Sequence, residues 1–148
     1  MKPKWRNEMK TKMKLISGIA VAATMLGVAA LAQAVKEYSV KALPPSVVKT
    51  VPQAGATDVD PALKELKFTF SKDMVDGSWS VCQVSKEHYP ETAGKIHYLP
   101  DKRTCVMPVK LQPGKTYVLW LNLGKFQSFR DTEGHSSVPY QLVFETKK

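Results

Sequence analysis

Three histidines and two cysteines are the side chains of this 148-residue sequence best suited to binding a metal ion or acting as a nucleophile. His88, His97 and His135 follow one another at intervals of 9 and 38 residues, which match no zinc-binding motif. The sequence contains neither a C-x-x-C pair nor the G-x-S-x-G turn of a hydrolase. It therefore predicts no metal site, no cofactor and no catalytic residue, and we expect a protein that is not an enzyme.

The acidic residues are dispersed along the chain. Asp58 and Asp60 lie near the first predicted turn, and Asp131 and Glu133 lie in a loop before the last predicted strand. Two carboxylates can hydrolyse glycosides when they face each other across a cleft at about 5 to 9 Å. In so small a domain these positions instead favour solvated carboxylates that form turns.

Aromatic residues remain as candidates for binding a ligand. The candidate set comes from two predicted strands and the segment 124–130, and consists of Trp79, Trp120, Phe126, Phe129 and Arg130. Trp120 alternates with two leucines, so it points away from the core if those leucines point into it. Exposed rings of this kind stack on a sugar or receive a partner protein. The alternative is that they close one end of the fold as core residues.

The two cysteines, Cys82 and Cys105, also leave two alternatives open. In an oxidising compartment an even pair can form a disulfide, which stabilises a fold by about 3 kcal/mol when the sulfurs are brought together. Otherwise they are two small buried residues in neighbouring strands.

The N-terminal segment is predicted to be a secretory signal peptide. Residues 1–34 hold six of the 22 basic and one of the 13 acidic residues, so +5 of the formal net charge of +9 lies there. An uncharged stretch over residues 15–31 is followed by Ala-Gln-Ala, which predicts cleavage between Ala34 and Val35. The alternative is an uncleaved anchor, the one case in which membrane contact is expected. We therefore expect export to the periplasm or the cell surface.

The remaining net charge of +4 comes from basic residues that are interspersed with acidic ones, and this pattern predicts no nucleic-acid partner.

A polar linker over residues 35–46 precedes short β-rich segments separated by Gly and Pro turns. The predicted strands are residues 47–51, 66–70, 79–84, 96–99, 104–109, 117–123 and 140–145. Pro108 indicates an edge position for its strand. About seven short strands and no helical period predict an all-β sandwich over residues 47–148.

Four segments of this sandwich resemble SbsA-type bacterial Ig-like domains. Residues 47–61 (VVKTVPQAGATDVDP) are similar to the opening strand and P-x-x-G-A-x-x-V element of that family. Residues 68–74 (FTFSKDM), 111–117 (LQPGKTY) and 131–134 (DTEG) resemble its next three elements in the same order. The resemblance covers residues 46–148. It implies an immunoglobulin-like sandwich outside the cytoplasm that serves as a spacer, assembly or binding module without catalysis.

A second resemblance carries an alternative function. Copper-resistance CopC-like proteins are also exported sandwiches with a similar opening and a D-G-H element, which residues 133–135 (EGH) resemble. That resemblance makes His135 a candidate copper ligand. The chain departs from the family in two ways. Its predicted mature N-terminus is Val35 rather than histidine, and its mature part has only two methionines, Met74 and Met107, which are too few for a Cu(I) site built from thioethers.

Taken together, the residues favour an exported, non-catalytic module that binds an unknown protein or cell-envelope component. The alternatives are a copper carrier that uses His135 and a small carbohydrate-binding module that uses Trp120, Phe126 and Phe129.

Overall fold

The computed structural model describes residues 38–148, and in this range the chain forms strands and no helix. Residues Val40–Lys148 form one unit. Its strands are β1 Val47–Val51, β2 Glu65–Phe70, β3 Val81–Gln83, β4 Glu91–Thr92, β5 His97–Tyr98, β6 Thr104–Lys110, β7 Thr116–Leu121 and β8 Tyr140–Glu145. No helix within 38–148 is long and apolar enough to cross a membrane. The predicted signal peptide and its cleavage site between Ala34 and Val35 lie outside the described residues.

The strands form two antiparallel sheets that pack face to face. In one sheet β1, β2 and β6 follow in that order, and β4 and β5 pair with the other side of β6. The second sheet has the order β3, β7, β8. This arrangement confirms the expected fold class, an all-β immunoglobulin-like sandwich. The structure adds the two-residue strand β4, which has no alternating pattern by which the sequence could reveal it.

Alternation of apolar and polar residues places the core between the sheets. In β2 the residues Leu66, Phe68 and Phe70 are buried while their neighbours are partly exposed, and β7 repeats the pattern. Rings from different strands meet in this core. Tyr117 stacks on Phe144 with the ring centroids 5.3 Å apart. Strands β2 and β7 therefore each present one apolar face to the core.

The prediction of an edge position for Pro108 is wrong. Strand β6 is central, because β2 pairs with one side of it and β4 and β5 with the other. Strand pairing on that second side is interrupted at the proline, because β5 pairs with Cys105 and Val106 and β4 pairs with Val109 and Lys110. The Pro108 carbonyl still accepts the Ala93 N–H (2.9 Å). Because proline has no N–H to donate, a gap between two short strands accommodates it as well as an edge does.

The segment that follows β1 runs beside β8. The Gly55 N–H donates to the Val143 carbonyl (2.8 Å), and the Val59 N–H donates to the Glu145 carbonyl (3.0 Å). Val59 also forms a parallel bridge with Thr146. Gly55 has a φ of 83°, which favours glycine at the turn into this segment. One edge of the three-stranded sheet is thus covered by chain, which leaves β3 as its other edge.

Candidate functional site

Two of the aromatic candidates line one cavity beside β3. Trp79 and Phe126 border a cavity of about 380 Å³, whose other lining residues are Ser80, Val81, Cys82, Gln83 and Ser128. We name this cavity the edge groove. The Phe126 side chain is 56% exposed. Trp79 packs partly against the core, and its indole N–H is buried without a hydrogen-bond partner in the described part of the chain. The edge groove is therefore apolar and aromatic on two sides.

The loop after β7 decides which phenylalanine faces solvent. Asn122 is fully buried with a φ of 58°, and its amide nitrogen donates to the Phe129 carbonyl (3.0 Å) while its amide oxygen accepts the Phe129 N–H (3.1 Å). Between these two points Leu123 and Phe126 exchange backbone hydrogen bonds of 2.9 and 3.0 Å in a tight turn. This turn holds Phe126 at the surface. The Lys125 Nζ lies 5.4 Å from the centroid of the Phe126 ring.

The remaining aromatic candidates lie elsewhere. Phe129 is a core residue, fully buried 5.2 Å from the ring of Phe70, so it is unable to contact a ligand and its place in the candidate set is wrong. Trp120 lies half-buried on the outer face of the three-stranded sheet, opposite Cys82 in β3. Arg130 is exposed and donates from Nε to the Gln127 carbonyl (3.0 Å).

The backbone of β3 contributes the third side of the edge groove. The Ser80 carbonyl accepts the Asn122 N–H of the chain after β7 (3.0 Å). Alternation in an antiparallel pair then directs the backbone groups of Cys82 toward β7 and those of Val81 and Gln83 away from it. The Val81 carbonyl receives the Tyr89 hydroxyl in a long contact of 3.4 Å. Gln83 therefore offers both an N–H and a C=O at the open edge.

Two serines that the sequence analysis did not single out fasten this region. The Ser80 hydroxyl is buried and accepts the Ser128 N–H (2.9 Å), which ties the segment bearing Phe126 to the start of β3. Short polar residues such as serine carry no sequence signal that separates buried hydrogen bonds of this kind from ordinary solvated positions.

Asp131 lies at the centre of a buried polar cluster. Its Oδ2 is 2.5 Å from Lys72 Nζ and 3.0 Å from His135 Nδ1, and its Oδ1 accepts the backbone N–H groups of Glu133 and His135. Its side chain is 1% exposed. Burial alone raises the pKa of Asp131, but the hydrogen bonds from Lys72 and His135 outweigh burial and lower the pKa to about 2. Asp131 is therefore an ionised structural carboxylate rather than a solvated turn residue.

The same lysine holds the chain that leads into the domain. Lys72 Nζ also donates to the carbonyls of Lys41 (3.1 Å) and Leu43 (2.7 Å). The adjacent Ser71 N–H donates to the Ser46 carbonyl (2.9 Å). The last residues of the predicted linker are thus hydrogen-bonded to the sandwich.

Comparison with known protein families agrees with this architecture. Residues 41–146 match the family described as bacterial Ig-like domain. The protein belongs to that family. Among curated proteins, none matches the chain.

In this bacterial Ig-like domain the two cysteines are free. Cys82 lies in β3 and Cys105 in β6, on different sheets. Cys82 is paired with Trp120 on the outer face of its sheet, whereas Cys105 is paired with the buried Phe68 and faces the core. Because one sheet separates the two thiols, the disulfide that was one of the two sequence alternatives is not formed. They are not in neighbouring strands either.

The three histidines of this bacterial Ig-like domain do not converge. The ring of His88 contacts the Thr116 carbonyl through Nδ1 (3.0 Å), and the exposed His97 contacts the Lys95 carbonyl (3.2 Å). His135 uses Nδ1 for Asp131, which leaves Nε2 for any other ligand. Within residues 38–148 no three His, Cys, Asp or Glu side chains are grouped as a metal site would require. No observation therefore favours the copper alternative.

Proposed function

We propose that this bacterial Ig-like domain is an exported, non-catalytic binding module that takes up an extended apolar segment of a partner protein in the edge groove. Membership of the family supports a non-catalytic module of the cell-surface type. The predicted signal peptide supports export, and the four matching segments support the narrower SbsA-type assignment.

The observation that carries the proposal is the open edge of β3 beside two aromatic rings. An extended peptide can add to such an edge as another strand, in which main-chain hydrogen bonds supply affinity and alternate side chains supply specificity. The backbone groups of Gln83 are placed for that pairing, and Trp79 and Phe126 border the space an apolar side chain would enter. Large rings of this kind dominate the binding energy of protein interfaces.

Selection of binding peptides tests the proposal. Random peptides displayed on phage are selected on the purified full-length protein, and the affinities of selected peptides are measured by calorimetry. Phe126→Ser is expected to weaken binding at least about tenfold, the size of one interface anchor. The matched control is Val48→Ser, since Val48 is 61% exposed on β1 and lines no part of the edge groove.

Methylation of the peptide backbone separates strand addition from side-chain binding alone. Peptides whose alternate amide nitrogens are methylated lose main-chain hydrogen bonds and are expected to bind more than about tenfold more weakly. Binding that is insensitive to both this change and Phe126→Ser would contradict the proposal, as would a selection that yields no binder.

Export and cleavage are tested separately. The full-length gene is expressed in bacteria and the cell fractions are analysed by N-terminal sequencing. We expect an envelope or medium fraction in which the protein begins at Val35. A protein found only in the cytoplasm with its first residues intact would contradict export without affecting the edge groove.

A further inference from the structure

A second cavity gathers three lysines from two separate parts of the chain, the segment after β3 and the connection from β6 to β7. Its volume is about 360 Å³, and it is lined by Gln83, Lys86, Tyr89, Pro90, Glu91, Lys110, Leu111, Gln112, Lys115 and Tyr117. We name it the lysine groove. Lys86 follows β3, Lys110 ends β6 and Lys115 precedes β7. The lysine groove and the edge groove have only Gln83 in common.

The positive charge of the lysine groove is incompletely neutralised. Its one acid, Glu91, lies 3.0 Å from Lys110 Nζ in an ion pair whose side chains are about two-thirds exposed. Lys115 Nζ donates to the uncharged amide oxygen of Gln112 (3.2 Å). Lys86 makes no hydrogen bond or ion pair to the described part of the chain. The three lysines and one glutamate leave a formal charge of +2 in one concavity.

A further lysine adds to the charge at this end of the sandwich. The Gly114 N–H donates to the Lys147 carbonyl (2.6 Å), and the Lys148 side chain passes over the same turn. Charges that line one cavity add their potentials where they lie within the screening length of physiological salt, about 8 Å.

Two tyrosines and two side-chain amides also line the lysine groove. The Tyr117 hydroxyl accepts the Gln112 N–H (2.8 Å) and the Tyr89 hydroxyl donates to the Val81 carbonyl (3.4 Å), so both phenols are anchored within the domain. Tyr117 is buried in the core, so the apolar surface that a ligand can reach in this cavity comes from the half-buried Tyr89 and Leu111. The side-chain amides offer both donors and acceptors.

We propose that the lysine groove binds an acidic oligosaccharide, one whose sugar units carry carboxylate groups. The lysines suit the carboxylates, the amides of Gln83 and Gln112 suit the hydroxyl groups, and the half-buried Tyr89 and Leu111 suit a face of the sugar ring. An acidic peptide would pair with the lysines but offers fewer hydroxyl groups for the two amides and no sugar ring to pack on Tyr89 and Leu111. This site shares only Gln83 with the edge groove, and the variants that test the two grooves alter different residues, so either proposal can fail without the other.

Calorimetric titration of the full-length protein with short oligomers of galacturonic acid tests the proposal. Neutral galactose oligomers and glutamate oligomers of equal charge serve as comparison ligands. Lys86→Gln and Lys115→Gln are each expected to weaken binding of the acidic sugar about threefold, and the double variant about tenfold. Lys49→Gln removes the same charge from β1, outside the lysine groove, and is expected to leave binding unchanged.

The outcomes divide cleanly. Binding of the acidic sugar that exceeds binding of both comparison ligands and falls in the Lys86 and Lys115 variants supports the proposal. If the glutamate oligomer bound as tightly as the galacturonic acid oligomer, the groove would recognise negative charge alone, and the assignment to a sugar would be overturned. Absence of binding, or equal losses in the Lys49 variant, would overturn the site itself.

Discussion

Lys72 and Asp131, which are 59 residues apart in the sequence, form a buried ion pair with Nζ 2.5 Å from Oδ2. Both side chains are largely removed from water, at 11% and 1% exposure. The pair joins the end of β2 to the loop before β8. The remaining carboxylate oxygen of Asp131 accepts two backbone N–H groups of that loop.

Asp131→Asn is expected to lower the free energy of unfolding by about 3 kcal/mol, because it leaves the charge of Lys72 buried without a counter-ion. Chemical denaturation in urea measures the change. Asp73→Asn is the matched control: Asp73 pairs with Arg103 at 2.8 Å, but both side chains are about half exposed, so we expect at most about 1 kcal/mol. Equal losses in the two variants would contradict a special role for the buried pair.

The same carboxylate predicts how stability depends on pH. The pKa of Asp131 is lowered from 3.8 to about 2 in the folded protein, so the folded state binds fewer protons than the unfolded state between those values. Its contribution to stability is therefore present above about pH 4 and is lost as the pH falls towards 2. The difference in unfolding free energy between the wild type and Asp131→Asn, measured in urea at several pH values, should shrink across this window. A difference that stays constant from pH 5 to about pH 2 would contradict the assignment.

The two thiols should differ in reactivity. Burial raises the pKa of Cys105 to about 12, and its side chain is fully buried. Burial also raises the pKa of Cys82, partly offset by a hydrogen bond from the Leu123 backbone, but this thiol lines the edge groove. We expect an alkylating reagent to modify Cys82 first in the folded protein and both cysteines after denaturation without reductant. Recovery of no free thiol from denatured, unreduced protein would show that a disulfide forms after all.

Truncation of Phe129 should destabilise the domain far more than truncation of Phe126. Phe129→Ala opens a cavity in the core and is expected to cost about 3 to 5 kcal/mol. Phe126→Ala removes an exposed ring and should change stability by no more than about 0.5 kcal/mol. Thermal unfolding of both variants measures the difference. Similar melting temperatures would contradict the placement of the two rings.

Alternation was sufficient to predict much of the sandwich, because β2, β7 and β8 each bury one face and expose the other. It was insufficient at β3, which was predicted to continue to Val84. There the chain leaves the sheet, and the carbonyl of His88 accepts the Val118 N–H. At this point the loop residue His88, rather than a continuation of β3, pairs with β7. Which loop residue lies beside β7 depends on the three-dimensional path of the loop, and the periodicity of the sequence does not contain that information.

The candidate site was predicted only in part, for a similar reason. The sequence places Phe126 and Phe129 three residues apart in one loop and treats them alike. The buried amide of Asn122 separates them, by holding Phe129 inward on both of its backbone groups. The ion pair between Lys72 and Asp131 could not be predicted from the sequence either. It joins two segments 59 residues apart, and the sequence shows only the order in which their motifs occur.

The attachment of Lys41 and Leu43 to Lys72 has a mechanical consequence. A pull on the chain entering the domain reaches the Lys72 ammonium group and, through it, the Asp131 loop before it loads the hydrogen bonds of β1. Tension at that end is thus shared between the two sheets rather than peeling the first strand from its neighbour. The ion pair therefore carries part of a pulling force that would otherwise act on the hydrogen bonds of the first strand alone.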